Sequence, residues 1–349
     1  MGPRSSLSDL PPPPSARSRG PRVVTLGGGH GQAALLAALG QLDVSLSAIV
    51  SVADDGGCSG KLRAELGMPP PGDLRRCLAS LASRRDLAAR FEERLSGEEE
   101  GRCVGNLVIA EMYRDLGSLQ LAVDWSAALL DCRGRVFAAA DKPGVLKVYD
   151  LEWGPISGES AIEAKSSSPL VARVEGPTVA SAGAKHALHQ AEFIFMGPGS
   201  FVGSTLAVLT TGDLAAAVAG SPGRRVLVKN LAHEGSSSIG LDDQERVLRD
   251  HLIILSGGET VVLDVLAHTA RGQRMRRRED GSIAFAAPLS ASPPEPSTRH
   301  DPDKVATALV DLFGFARRPA PPPPLDPGPE ARAVFEAALE RARARLRSA

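Results

Sequence analysis

The chain has 349 residues, with 40 basic and 41 acidic side chains, a formal net charge of −1, 43% hydrophobic residues and 23% charged ones. This composition suits a globular protein with a large core, in one large α/β domain or two smaller ones. The near-neutral charge offers no bulk attraction to nucleic acid or to an anionic membrane, and 4% aromatics are too few for the stacking platforms that hold single-stranded nucleic acid.

Residues 1–20 contain PPPP, Ser and Arg but almost nothing apolar, the composition of a disordered tail. An α/β domain is expected over residues 21–318. It begins with the β-branched run Arg22–Leu26, which stops at Gly27-Gly28-Gly29, and Gln32–Leu39 reads as a helix. Ser47–Val52 is a second apolar strand, and a Gly/Pro loop follows it up to PPPGD, where Asp73 is placed to cap the helix LRRCLASLAS. Strand, glycines, helix, strand is the opening of a parallel sheet.

Residues 92–101 are acidic and read as an exposed loop, and Gly105–Met112 and Leu119–Leu130 as apolar helices. Between Val136 and Ser160, VFAAA, VLKVYDLEW and a Gly-Pro turn predict a short antiparallel insert. The α/β alternation resumes with a helix at Ala182–Gln190, a strand at Glu192–Met196 ending in GPGS, a helix near Leu214–Ala219, and the strands RRVLVKN and TVVLDVL. The basic stretch RGQRMRRRED at 271–280 reads as a solvated loop. Residues 319–329 form a proline-rich linker, and 330–349 an amphipathic C-terminal helix with Phe335, Leu339, Ala342 and Leu346 on one stripe. That stripe should dock on the body of the protein or on a partner subunit, so a homo-oligomer is one expectation. The fold class expected is therefore a Rossmann-like parallel α/β sheet flanked by helices, with the insert and the terminal helix added.

Three glycine-rich turns each follow a predicted strand: Gly27, Gly28, Gly29, His30 and Gly31; then Asp54, Asp55, Gly56, Gly57 and Ser59; then Gly197, Pro198, Gly199 and Ser200. Glycine after a parallel strand lets backbone N–H groups approach a phosphate, and the next helix N-terminus adds partial positive charge. In doubly wound sheets such turns gather in one crevice, so the three together predict a phosphate-bearing ligand. There is no Walker A pattern, and Gln32 breaks a strict G-x-G-x-x-G. Asp54 and Asp55 are suited to a divalent cation, to ribose hydroxyls or to general-base work, against the plainer alternative of turn capping.

The four cysteines, Cys58, Cys77, Cys103 and Cys132, have no CxxC spacing and read as free thiols. With no span-length apolar run and no signal-peptide core, the expected location is the cytoplasm, without membrane or nucleic-acid partners. Gly2 and Ser6 formally match a myristoylation pattern that nothing nearby supports. A Cys58–His30 nucleophile pair and a metal pair at His186 and His189 each lack a further partner. Lys185 and Lys229 could reach phosphates, but surface lysines are the default.

VVTLGGGHG, AIVSVADDGGCSGKLRAELGMPPPGDLRRCL, VGNLVIA and GPGSFVGSTL, in this order, resemble the gluconeogenesis factor family over about residues 22–255. That family is related to the CofD-type 2-phospho-L-lactate transferases. The resemblance implies a Rossmann-like fold binding a UDP-sugar such as UDP-N-acetylglucosamine, a role in cell-envelope synthesis and cell shape during gluconeogenic growth, and a regulated partner enzyme. It extends the site to Asp73, Asn106 and Asn230, with Asp54 and Asp55 gripping ribose or a hydrated cation. In the CofD branch it implies instead a phospholactyl transfer from a guanosine diphosphate-linked donor to a deazaflavin alcohol. There Asp54 and Asp55 would be the metal-holding and catalytic pair, and Mg²⁺ the one cofactor implied. The sequence departs from the family pattern at His30 and Cys58, where threonine and serine are usual, and in AHEGSSSIGL after Asn230.

Overall fold

The computed structural model describes residues 20–96, 101–150, 152–165, 169–232, 239–290, 299–319 and 328–348. The expectations for the tail up to residue 19, for the acidic tip at 97–100, for 233–238 after Asn230 and for 320–327 of the proline-rich stretch lie outside the described residues.

The first half of the chain runs β1 (Arg22–Gly27), α1 (Gly29–Leu39), β2 (Ser45–Val50), α2 (Gly57–Leu66), α3 (Gly72–Leu81), α4 (Arg85–Glu92), α5 (Val104–Leu116), α6 (Leu119–Leu129) and β3 (Arg135–Ala138). An insert follows, made of β4 (Val145–Asp150), β5 (Gly154–Ser157), α7 (Glu159–Glu163) and β6 (Pro169–Glu175). The second half contains α8 (Ala182–Gln190), β7 (Phe193–Met196), a π-helical turn at Phe201–Leu206 continued by α9 (Ala207–Leu209), α10 (Leu214–Ala219) and β8 (Arg224–Val228). It closes with α11 (Gln244–Leu255), β9 (Leu263–His268), β10 (Arg274–Arg277), β11 (Ile283–Ala287), α12 (Pro302–Phe313) and α13 (Gly328–Ser348).

The main sheet has the order β10-β11-β9-β8-β7-β1-β2-β3, and all neighbours are parallel except β10 and β11. β1, with the burial pattern exposed-then-five-buried, is covered on both faces, which is why its sequence is a continuous apolar run rather than an alternation. Val23 joins the core on one face and Val24 the core on the other. The insert forms a separate sheet, β5-β4-β6, antiparallel throughout.

Several expectations are corrected. VFAAA does not belong to the insert: Arg135–Ala138 is β3, parallel to β2 with Ala48 opposite Val136. A four-residue apolar run has no periodicity to separate a sheet-edge strand from a hairpin strand. The Gly/Pro loop after β2 contains α2, and α4 precedes the acidic stretch. The basic stretch is not a loop but holds β10, the outermost strand, with all four residues exposed.

The terminal helix α13 docks on the body of the chain. Phe335 is fully buried, its ring centroid 5.8 Å from that of Phe91 in α4. Arg341 and Arg345 reach the buried Glu111 of α5 at 3.3 and 3.1 Å, so the helix supplies the counter-charges that a buried carboxylate needs. Phe335→Ala should cost about 3–5 kcal/mol by removing a fully packed ring, read as a lower denaturation midpoint. Because Phe335 packs away from the glycine turns, any ligand affinity of the folded protein should stay the same.

Candidate functional site

β1 and β7 are neighbours at the middle of the sheet, with β2 and β3 beyond one and β8 and β9 beyond the other. Strand order reverses between them, and ligands of open α/β sheets bind in the crevice at such a point. The loops leaving the carboxyl ends of β1, β2, β7 and β8 surround a cavity of about 760 Å³, within the usual range for small-molecule sites.

Of the predicted residues, Gly29, His30, Gly31, Asp54, Gly56, Gly57, Ser59, Asp73, Asn106, Pro198, Gly199, Ser200 and Asn230 line this cavity. Gly27, Gly28, Asp55 and Gly197 do not. A Cβ on Gly28 would lie 2.2 Å from Asp73 Oδ2 and 2.9 Å from Ser204 Oγ, so this position closes on its neighbours only as glycine. A Cβ on Gly31 would lie 2.4 Å from the Gly199 nitrogen, which packs the first and third glycine turns edge to edge. Asn230 fixes that third turn: Gly199 N–H donates to Asn230 Oδ1 at 3.0 Å, and Asn230 Nδ2 donates to the Gly199 carbonyl at 2.9 Å. Ser200 Oγ accepts from Gly203 N–H at 3.0 Å and caps the π-helical turn.

Asp73 is not an N-cap. It sits one residue inside α3, whose N-cap is Pro71, and its side chain crosses to the first glycine turn. There it accepts from the Gly29 backbone N–H and from Arg76 Nη1, the latter at 3.1 Å. The sequence pattern PPPGD is equally compatible with a cap or a bridge, and only the packing of α3 against α1 decides. With its side chain 12% exposed, burial pushes Asp73 up to about 6, with Asp54 adding to the rise and Arg76 opposing it.

The two adjacent acids part company. Asp54 faces the cavity, and its Oδ1 accepts from Gly56 N–H at 2.8 Å in a local turn. Asp55 turns to the insert, where Oδ1 accepts from the Ser160 N–H at 2.9 Å and from Ser160 Oγ at 2.7 Å, in the first turn of α7. Asp54 thus lines the cavity, while Asp55 is held by the insert.

The structure adds residues that the sequence did not single out. Arg75, Arg76, Arg94 and Arg299 also line the cavity, and Glu159 and Glu163 from α7 join Asp54 and Asp73 there; Arg76 pairs with Asp73 at 3.1 Å, so the two signs are interleaved. Arg75 and Arg76 lie in the quoted motif and were legible there; the insert's Glu159 has no local signal. Burial, then repulsion from Asp54, Asp73, Glu163 and Asp55, raises Glu159 to about 9. Burial and the nearby Arg76, Arg299 and Arg75 lower His30, with Glu92 opposing, so it meets a ligand as neutral imidazole. Asn106 Oδ1 is buried without a hydrogen-bond partner among the described residues.

Other candidates are not brought together. Cys58 Sγ accepts from the Cys103 N–H at 3.3 Å rather than pairing with His30. His186 and His189 lie on α8, outside the cavity lining. Lys185 pairs with Asp213 at 2.8 Å and Lys229 with Asp242 at 3.7 Å. No three carboxylate, imidazole or thiol groups among the described residues are arranged to hold a metal ion.

With this geometry established, comparison with known proteins decides the family. A sequence model described as 2-phospho-L-lactate transferase CofD matches residues 23–285, and the chain is 35% identical over 320 residues to a Deinococcus radiodurans protein carrying the gluconeogenesis factor name. The chain belongs to the gluconeogenesis factor family. That alignment covers 85% of this chain and 67% of the relative. The gluconeogenesis factor of Listeria monocytogenes is 31% identical over 313 residues, or 84% of this chain and 96% of that one. The crystal structure of a Bacillus halodurans protein superposes with a TM-score of 0.73 at 27% identity, covering 84% of this chain and 100% of that chain. The family's CofD-type domain thus extends from β1 into β11 and takes in every glycine turn described above. No helix among the described residues is long and apolar enough to cross a membrane.

Two outcomes follow from the acids. Asp55→Ala removes the cap on α7 and should cost about 1 kcal/mol of stability, measured by thermal melts. Glu159 and Asp73 hold protons in the folded state that the unfolded chain releases near pH 4, so their contribution is present below that pH. It is lost as pH rises through about 6 for Asp73 and about 9 for Glu159. The empty protein should therefore melt lower at pH 8 than at pH 5.5, and Glu159→Gln should raise stability at pH 8, on the order of 1–2 kcal/mol after solvent screening. Melts of the variant no higher than the parent's at pH 8 would show that Glu159 is not destabilised there.

Proposed function

We propose that the cavity binds a nucleotide-sugar of the UDP-N-acetylglucosamine type, and that the protein acts as a non-catalytic regulator supporting cell-envelope synthesis and cell shape during gluconeogenic growth. The observation that carries this reading is the meeting of three glycine turns at the strand-order reversal, around a cavity that four arginines also line. Backbone N–H groups and guanidinium groups together suit a diphosphate. Asp54, facing the same space without a carboxylate neighbour from its own turn, suits ribose or sugar hydroxyls. The four free, buried cysteines support a reducing, cytoplasmic setting. The bound and empty forms would then be told apart by a partner enzyme.

A second reading, phospholactyl-type transfer, is favoured by the transferase description of the matching family model. Mg²⁺ commonly takes one or two carboxylates, with substrate phosphates and water completing its shell, and Asp54 and Asp73 fit that need where Asp54 with Asp55 does not. These two would hold the ion, which would supply charge neutralisation at the donor diphosphate. Asp54 is the chain's own candidate base for an acceptor hydroxyl.

Calorimetric titration with UDP-N-acetylglucosamine, GDP, NAD and a deazaflavin, each with Mg²⁺ and with EDTA, separates the readings. The regulatory reading expects the UDP-sugar to bind in both conditions and Asp54→Asn to weaken it by about 1–3 kcal/mol through a lost charged hydrogen bond. Heat with GDP alone, abolished by EDTA, would favour the transferase; binding of NAD alone would sink both.

A further inference from the structure

The outermost strand of the main sheet, β10, offers an edge that is unpaired among the described residues and unusually charged. Its sequence is Arg-Met-Arg-Arg, and all four residues are exposed, Met275 by 65%. On its inner side it pairs antiparallel with β11, Arg274 opposite Ala286 and Arg276 opposite Ala284. Just beyond, the Arg278 N–H donates to the Ser282 carbonyl at 2.8 Å. In an antiparallel ladder, hydrogen-bonded and non-hydrogen-bonded residue pairs alternate. Arg278, Arg276 and Arg274 therefore turn their backbone groups to β11, and Met275 and Arg277 turn theirs to the open edge.

The charges on this edge are as open as its backbone. Arg271, Arg274, Arg276 and Arg277 form no ion pair among the described residues, whereas nearby Glu245 and Asp280 are taken up by Arg278 and Arg249. A charged edge protects a sheet from pairing with its own copy, since like charges would face each other. The same charges favour a strand of opposite sign.

We propose that the β10 edge binds an acidic, extended segment of a partner protein as an added strand. Main-chain hydrogen bonds to Met275 and Arg277 would give the register, and the arginines would select glutamate or aspartate side chains on the incoming strand. A phosphate backbone or an anionic lipid surface could use the arginines and the outward N–H groups, but offers no row of donors to the outward C=O groups, which only a paired strand satisfies. This surface is separate from the ligand cavity and does not depend on what that cavity binds.

The test uses the full chain and a fluorescein-labelled peptide of alternating glutamate and valine, followed by anisotropy. Saturable binding that weakens with salt is expected. Met275→Pro removes one outward N–H without breaking a ladder bond, a position where edge strands tolerate proline. It should weaken binding by about tenfold or more, equivalent to losing roughly 1.4 kcal/mol. Arg274→Glu with Arg277→Glu should weaken it likewise, while melting curves stay near the parent's. A probe N-methylated at every residue, which has no N–H on either strand edge, should fail against the unaltered protein and so guards against misfolding of the proline variant. Absence of saturable peptide binding overturns the proposal. So does full binding by the N-methylated probe, or an oligo(dT) or phosphatidylglycerol vesicle bound as tightly as the peptide.

Discussion

The contact between the Asp73 carboxylate and the first glycine turn is the constraint on which the site depends. It ties the start of α3 to the start of α1, accepting from the Gly29 N–H and from Arg76, and it fits only because Gly28 has no side chain. A helix N-terminus after a glycine turn is a ready site for an anion, and here the protein's own carboxylate already stands at it. On the proposed reading, a ligand's phosphates would be met mainly by the third turn and by the arginines, with the first turn supplying shape. Burial of this acid raises its proton affinity, so the empty site holds unfavourable charge that a cation, a proton or a ligand hydroxyl can relieve.

The cavity consequently carries both signs of charge. Arginines from α3 and from residues 94 and 299 line it together with acids from the β2 loop, α3 and α7. Such a lining suits a ligand that carries both anionic groups and hydroxyls, because each finds groups it can satisfy without stranding a buried charge. Glu159, pushed up to about 9, is a neutral hydrogen-bond donor at pH 7 rather than another repelling charge. It is supplied by α7, so the insert contributes to the cavity lining as well as adding a small sheet to the fold.

The acidic turn shows how far local pattern reaches. Asp54 and Asp55 are indistinguishable by composition, and both stand in the motif that identifies the family. Their separate roles follow from Ser160, more than a hundred residues away, whose N–H and hydroxyl draw Asp55 out of the cavity. Asp73 was legible as important and misread as a cap, since a cap and a cross-helix bridge require the same residue at nearly the same place. The basic stretch at 271–280 showed its charge in the sequence but not its strand. An edge strand exposed on both sides has no apolar alternation to reveal it.

By itself, the sequence determined the strands β1, β2, β7, β8 and β9, the placement of glycine turns after strands, the family, and 13 of the 27 residues that line the cavity. These are encoded locally, in apolar runs, turn residues and short motifs, and local preference survives into the fold wherever both faces of a strand are buried. Only the tertiary structure decided that β3 joins the main sheet, that α13 folds back over Glu111, and that Glu159 and Arg299 reach the cavity. It also decided which of two adjacent aspartates faces a ligand. Those outcomes depend on contacts between residues far apart in the chain, where burial and the placement of opposite charges, rather than neighbouring sequence, set the lowest free energy.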